Sequence, residues 1–281
     1  AEIITCLPFD TAWGLPDEFS RRMARNTQAV ASEEANIGRV SDPAGGSWYV
    51  EELTESLAAK AWQAFQAIEA AGGMVSALTS GLVAERIGAS TAERVSRLAH
   101  RKLPLTGVSM FPKPDEEPVQ AKPRPVAPER NGLAAHRDSE VFEALRDRAA
   151  AADVPPAVFL ACLGARRDFG GRETFTSALL GVGGITRPSC EGGTPEEIVA
   201  QVQAAGAKMV ILCSSAKVYA AQAVDVARAL KDAGVASVFI AGRKTETASE
   251  EVDSVIDGEV FDGMDVVAFL ADAMDRIGVA K

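Results

Sequence analysis

The chain has 281 residues, 47% of them hydrophobic, which is enough for about two domains with real cores. Its formal net charge of -10, with no basic stripe and no Lys/Arg run interleaved with aromatics, excludes a nucleic-acid or anionic-membrane surface. No apolar run approaches the roughly 20 residues that cross a bilayer, and Ala1-Glu2-Ile3-Ile4 has neither a signal-peptide n-region nor an initiator Met, the pattern of a fragment. Ile3 to Leu7 reads as a buried strand. Pro16, followed by Asp17 and Glu18, opens a helix with acidic residues at its positive end, and Phe19, Met23, Thr27 and Val30 recur at helical spacing to give it one packed face.

The turn-rich run Arg39 to Val50 leads into a second helix, from about Glu51 to Ala71. It carries an apolar stripe of Leu53, Leu57, Ala61, Ala64 and Ile68 and a stop signal at Gly72-Gly73. Shorter helical patterns at Val75 to Ile87 and Thr91 to Arg101 precede Leu103 to Met110. The alternation of strand and helix signals predicts βα units. A complete (β/α)8 barrel takes about 250 residues, so residues 1–110 have room for only part of one.

From Phe111 to Asn131 the composition changes: Pro112, Pro114, Pro118, Pro123, Pro125 and Pro128 are six of the chain's 14 prolines. Such density predicts an extended linker, over 111–139, between domain 1–110 and domain 140–281. A helix at about Glu140 to Ala152 follows, with Val141, Leu145 and Ala149 on one face. Strand candidates come next at Val158 to Leu163, Gly184 to Thr186, Met209 to Cys213, Ser237 to Ala241 and near Val260, with helices between them. Thr194-Pro195-Glu196-Glu197 is a helix start with a capping Thr, Pro at the first helical position and a Glu three residues on. The order predicts a flavodoxin-like doubly wound sheet whose ligands lie outside the carboxyl ends of the strands. Cys6, Cys162, Cys190 and Cys213 show no CxxC or CxH grouping; reduced, buried cysteines in a cytoplasmic protein account for them.

The stretch Leu160 to Phe175 decides the functional reading. A buried strand ends at Leu163, a Gly-bearing loop follows, and a helix runs from Glu173 to Leu180, the first half of a βαβ unit whose helix start can hold a ligand. Gly164, Asp168 and Gly171 here resemble the Gly-x-Asp-x-His-x-x-Gly loop of the adenosylcobalamin-dependent acyl-CoA mutases, methylmalonyl-CoA mutase above all. In that family the histidine ligates cobalt and the aspartate orients it. Here Arg166 stands at the aspartate position and Asp168 at the histidine position, and the chain's two histidines, His100 and His136, both precede the loop. A carboxylate is a poor substitute for imidazole on cobalt.

The resemblance continues along the chain. Arg25-Asn26-Thr27-Gln28, Asp42-Pro43-Ala44-Gly45-Gly46-Ser47-Trp48-Tyr49-Val50-Glu51 and Thr106-Gly107-Val108 are similar to successive landmarks in the last third of the mutase barrel. Trp48, Tyr49 and the glycines serve either a barrel-closing turn or substrate contact. Near Ile4-Thr5-Cys6-Leu7 active chains resemble Leu-His-Thr-Asn, and no histidine occurs there. Thr194 to Glu197, Cys213-Ser214-Ser215 and Ala241-Gly242 match later landmarks. In cobalamin-binding members Ser214, Ser215 and Gly242 would line the groove for the nucleotide tail, although Ser-Ser and Gly after strands are also ordinary loop chemistry. Arg243-Lys244 replaces apolar and Pro positions and is expected to crowd that groove.

The resemblance therefore implies the C-terminal part of a small, non-cobalamin-binding mutase subunit: the end of a TIM barrel followed by a degenerate, Rossmann-like cobalamin-type domain. Such a chain has no catalytic or metal residues of its own. It pairs in a heterodimer with a homologous large subunit that binds adenosylcobalamin and interconverts methylmalonyl-CoA and succinyl-CoA. Two other readings stay open. One is an active mutase with an unusual cobalt environment; the other is a non-cobalamin module in which Arg166, Arg167 and Arg172 hold a phosphate or acyl-CoA, unless those arginines simply form salt bridges.

Overall fold

The computed structural model describes residues 3–113, 122–123 and 136–280. They divide into two compact units: one holds the described residues up to Ile87 together with 122–123, and the other begins at Gly88. Most of the Pro-rich stretch predicted as a linker lies outside the described residues.

The first unit is helical. Helix α1 (Glu18–Ala29) starts where the Asp17 carboxylate accepts the Ser20 N–H at 2.7 Å, and it continues into a π-helical turn over Val30–Glu34. The Asp-Pro-x-x-Gly run folds into consecutive turns: Gly45 N–H donates to Asp42 O, Ser47 N–H donates to Ala44 O, and the Glu51 carboxylate accepts the Gly46 N–H. A Cβ on Gly45 would lie 2.5 Å from Asp42 Oδ2 and 3.2 Å from Asp42 O, so a larger residue there would displace the Asp42 side chain. Out of it comes α2 (Trp48–Ala70), followed by α3 (Gly73–Thr79) and the start of α4 (Leu82–Ala99), whose residues from Gly88 on belong to the second unit.

Three expectations are corrected here. Ile3 to Leu7 forms no strand, and no named strand occurs among the described residues before β1 below. The pattern at Val75 to Ile87 is interrupted at Ser80-Gly81, while that at Thr91 joins the preceding helix through Gly88. The predicted helix faces exist, but they are not packed: Phe19, Leu53 and Leu57 are exposed, and α2 has no buried residue. Periodicity identifies an apolar stripe, but burial requires a covering surface, and none of the described residues of this unit provides one.

The second unit is built on a parallel sheet in the order β1-β2-β3-β4, with β1 (Phe159–Cys162), β2 (Met209–Cys213), β3 (Ser237–Ala241) and β4 (Gly258–Val260). The first three are buried at every residue, as befits continuous apolar runs covered on both faces. In place of the strand expected at Gly184 to Thr186 there are two isolated parallel bridges, Ala157 with Thr186 just before β1 and Leu160 of β1 with Ser189. Pro188 sits between those bridges and has no N–H to continue the ladder. This segment lies beside β1 on the side away from β2, so the chain reverses its direction of travel across the sheet at the β1–β2 boundary.

Around the sheet run α5 (Glu140–Ala150), α6 (Arg166–Val182), α7 (Pro195–Ala204), α8 (Ala216–Asp232), the short α9 (Val252–Val255) and α10 (Val266–Ile277). Helix α5 buries Phe142, Leu145 and Ala149 and packs on α10; Arg148 fastens the pair by donating to Val279 O and Asp275. Helix α7 starts as predicted, with Glu197 N–H to Thr194 Oγ1 and Thr194 N–H to Glu197 Oε2. Leu98, at the end of α4, joins the core of this unit, and Leu103, Leu105 and Val108 pack against it.

Candidate functional site

In open α/β sheets ligands bind outside the carboxyl ends of the strands, where the winding direction reverses. Here that place is the end of β1 and β2. Residue Gly164 leaves β1 with φ +79°, a left-handed conformation, and α6 begins two residues later. The predicted long loop is therefore a three-residue turn, Leu163 to Ala165, and Gly170 and Gly171 lie inside the helix, not in a ligand loop.

Asp168 explains the early start. Its carboxylate turns back to accept the Ala165 N–H at 3.1 Å, serving an amide that the helix itself leaves unpaired. The same carboxylate sits 3.2 Å from the position a Cβ on Gly164 would take, with Val218 at 3.3 Å on the other side. The group at the cobalt-ligand position is thus a helix cap folded against the turn. An oxygen donor already committed to a backbone amide does not fit a cobalt that calls for imidazole nitrogen.

Beside it the ends of β1 and β2 are tied together by the chain's own atoms. Ser214, buried at the end of β2, donates its hydroxyl to Leu163 O at 2.7 Å, while Leu163 N–H donates to Cys213 O at 3.0 Å. These two bonds join the ends of β1 and β2. Above them the 192 turn lies so close that a Cβ on Gly192 would be 2.5 Å from Gly164 O. Ser215 stands at the N-cap of α8 without a side-chain capping bond. Gly242 follows β3 with φ +134°.

The three arginines go separate ways. Arg166 is exposed, 3.7 Å from Glu191 and 3.9 Å from Glu173, with its guanidinium over Phe169. Arg167 is exposed. Arg172 pairs with Glu246 at 2.6 Å, and a Cβ on Gly242 would run into this pair. The salt-bridge reading therefore describes Arg166 and Arg172. Arg243 and Lys244 were expected to crowd the groove, but Arg243 reaches to Glu259 of β4 and Lys244 to Asp253 of α9. Arg243 pairs with Glu259 at 3.0 Å and lies over the Phe261 ring, and Lys244 pairs with Asp253 at 2.9 Å.

Cys162, Cys190 and Cys213 meet under the same strand ends: Cys162 N–H points to Cys190 Sγ at 3.3 Å, and Cys162 is the register partner of Cys213. Burial raises all three thiols above their ordinary range, Cys213 to about 12, so they stay protonated and act as small apolar groups. His100 and His136 are held locally, at Ser96 O and Glu140. Among the described residues no three His, Cys, Asp or Glu side chains are grouped to hold a metal ion.

Sequence reasoning missed the Ser214–Leu163 tie, the Gly192 contact and the reach of Arg172 to Glu246. A helix start misread by seven residues hid the first two, because a short turn is what brings these atoms together. The third joins residues 74 positions apart, and no spacing signal marks it.

Comparison with known proteins supplies the family. Residues 1–158 match the family model described as methylmalonyl-CoA mutase. A methylmalonyl-CoA mutase small subunit of Propionibacterium freudenreichii subsp. shermanii is 53% identical over 100% of this chain and 44% of its own length. One from Streptomyces virginiae is 48% identical over 100% of this chain and 45% of its own length. A methylmalonyl-CoA mutase of Cereibacter sphaeroides is 43% identical over 40% of this chain and 16% of its own length. The chain thus spans less than half the length of the small subunits it matches, and its membership is plain: it belongs to the methylmalonyl-CoA mutase family.

Proposed function

We propose that this chain is the C-terminal part of a methylmalonyl-CoA mutase small subunit. In this reading it binds no adenosylcobalamin and supports, in a cytoplasmic heterodimer, the interconversion of methylmalonyl-CoA and succinyl-CoA by a homologous large subunit that holds the cofactor. The cofactor supplies the radical chemistry there. The first unit is then the last part of a TIM barrel whose other elements cover the exposed stripe of α2. The second is a flavodoxin-like domain of the cobalamin type, consistent with the segment around Thr186 lying beside β1 and β2, β3 and β4 following on the other side.

The observation that carries the reading is the state of Asp168 and Ser214. One caps α6 and the other ties β1 to β2, so the residues at the ligand position and at the first groove position are both engaged within the chain. Whole-chain identity of 53% to a protein named as a small subunit supports the same conclusion.

Two measurements test it. Adenosylcobalamin added to the chain alone should leave the cofactor's visible spectrum unchanged. The chain within its complete subunit should copurify with a longer homologue and give a complex with one cobalamin-binding subunit that isomerises succinyl-CoA. Stoichiometric cobalamin on this chain alone would overturn the proposal.

A further inference from the structure

We propose that Arg172 is an internal brace that fills the crevice at the carboxyl end of β3, in the place of a ligand, and that Gly242, whose φ of +134° already calls for glycine, also leaves the room it occupies. This deepens, and rests on, the reading of the crevice as one that takes no cobalamin.

The argument begins with hydrogen-bond accounting. The Tyr219 hydroxyl, fully buried, accepts the Ser214 N–H at 2.7 Å and lies 2.9 Å from both Leu212 O and Ala241 O. A phenol has one proton and can satisfy only one of those carbonyls at a time. Arg172 Nη1 donates to Ala241 O at 2.8 Å, a charge-assisted bond to the last carbonyl of β3, while the register of β2 with β3 already gives Leu212 O the Ala241 N–H. Without the guanidinium, Ala241 O keeps only its share of the single phenol proton and loses a charge-assisted bond.

The guanidinium is itself held on three sides. Its Nη2 donates to Glu246 Oε2 at 2.6 Å, its plane lies 5.0 Å over the Tyr219 ring, and it comes from α6, whose start Asp168 fixes. Glu246 in turn accepts the Arg243 N–H at 2.8 Å, which anchors the 3-10 turn Lys244–Thr247. One side chain thereby links α6, the end of β3, α8 and the loop after β3, the elements a ligand at this end of the sheet would touch.

Gly242, with φ +134°, also leaves room for the pair. A Cβ there would collide with Arg172 Nη1 and stand 2.5 Å from Glu246 Oε1. A glycine after a strand is commonly taken to let a ligand approach the backbone; at this position the approaching group is the chain's own ion pair.

The test is a double-mutant cycle in the full chain, read by hydrogen exchange of the Gly242 and Arg243 amides and by thermal unfolding. Arg172→Met should speed exchange at these amides about ten- to a hundredfold, the size expected for losing a charge-assisted hydrogen bond. Arg166→Met, on the exposed rim, should not. Gly242→Ala should do the same as Arg172→Met and also lower the melting temperature. The double variant should be no worse than Gly242→Ala alone, because the added methyl has already displaced the guanidinium. If Gly242→Ala does not fold, the cycle of Arg172→Met with Glu246→Ala carries the same expectation of non-additivity. Additive effects, or unchanged exchange in Arg172→Met, overturn the brace while leaving the proposed function standing. Stoichiometric adenosylcobalamin binding by the unaltered chain overturns both.

Discussion

Asp168 and Glu246 are both carboxylates that accept backbone amides near the carboxyl end of the sheet, and each leads to a measurable expectation. Removing the Asp168 cap as Asp168→Ala should cost about 1 kcal/mol, the usual value of a lost helix cap, in denaturant unfolding. Asp168→His supplies an imidazole but loses that cap, and Arg166 still stands where an orienting carboxylate is needed; cobalamin titration should detect no binding. Adding Arg166→Asp should improve any affinity over the single change, since partners of metal-bound histidines typically matter by about 10- to 100-fold, without giving turnover. An active mutase from the single change would instead identify a damaged catalytic chain. For Glu246, burial alone would raise the carboxyl, but the bonds from Arg172 and the Arg243 amide outweigh it and hold it below the ordinary 4.5. With the folded value below the unfolded one, this contribution is present above pH 4.5 and is lost as the pH falls through the lowered value. The melting temperature should therefore drop more steeply on acidification for the wild type than for Glu246→Gln, and parallel acid limbs would contradict the pairing.

At the scale of elements, α6 is where sequence and structure part company. Two adjacent glycines read as loop, because each costs a helix interior up to about 1 kcal/mol relative to alanine. The helix nevertheless includes them, since Asp168 caps its start, and Phe169, Leu179 and Leu180 are buried along its length. A Cβ on Gly171 would meet nothing within 4 Å. Gly171→Ala should thus stabilise the chain by roughly 0.4–1 kcal/mol in chemical denaturation, whereas Gly164→Ala, at φ +79°, should destabilise it. If Gly171→Ala destabilised it, the glycine would be serving a loop after all. Elements with an unambiguous local signal were readable: Ser237–Ala241 and Met209–Cys213 match their apolar runs residue for residue, and α7 begins at its capping box. What could not be read were the features set by distant partners, such as Arg172 with Glu246, and the strand around Thr186 that Pro188 reduces to isolated bridges.

At the scale of the whole molecule, the two units differ in how they treat apolar surface. The second buries nearly every large aliphatic side chain of its strands, whereas α2 in the first exposes Trp48, Tyr49, Leu57 and Trp62. The chain should therefore bind an apolar dye such as ANS strongly, and substitutions such as Leu57→Glu and Trp62→Glu should remove much of the signal without altering the unfolding of the second unit. A fragment starting at Gly88 should unfold cooperatively with little dye binding; dye binding equal to that of the parent chain would place the exposed surface elsewhere. The edges of the sheet have a different consequence. On one side the partner of β1 makes only scattered bridges around a proline, and on the other β4 is three residues long with Glu259 at its centre. Among the described residues each margin thus carries a feature that disfavours the addition of a foreign strand, a proline on one side and a short strand with a central charge on the other, so association of this domain with another protein is expected to run through side chains and not through extension of the sheet.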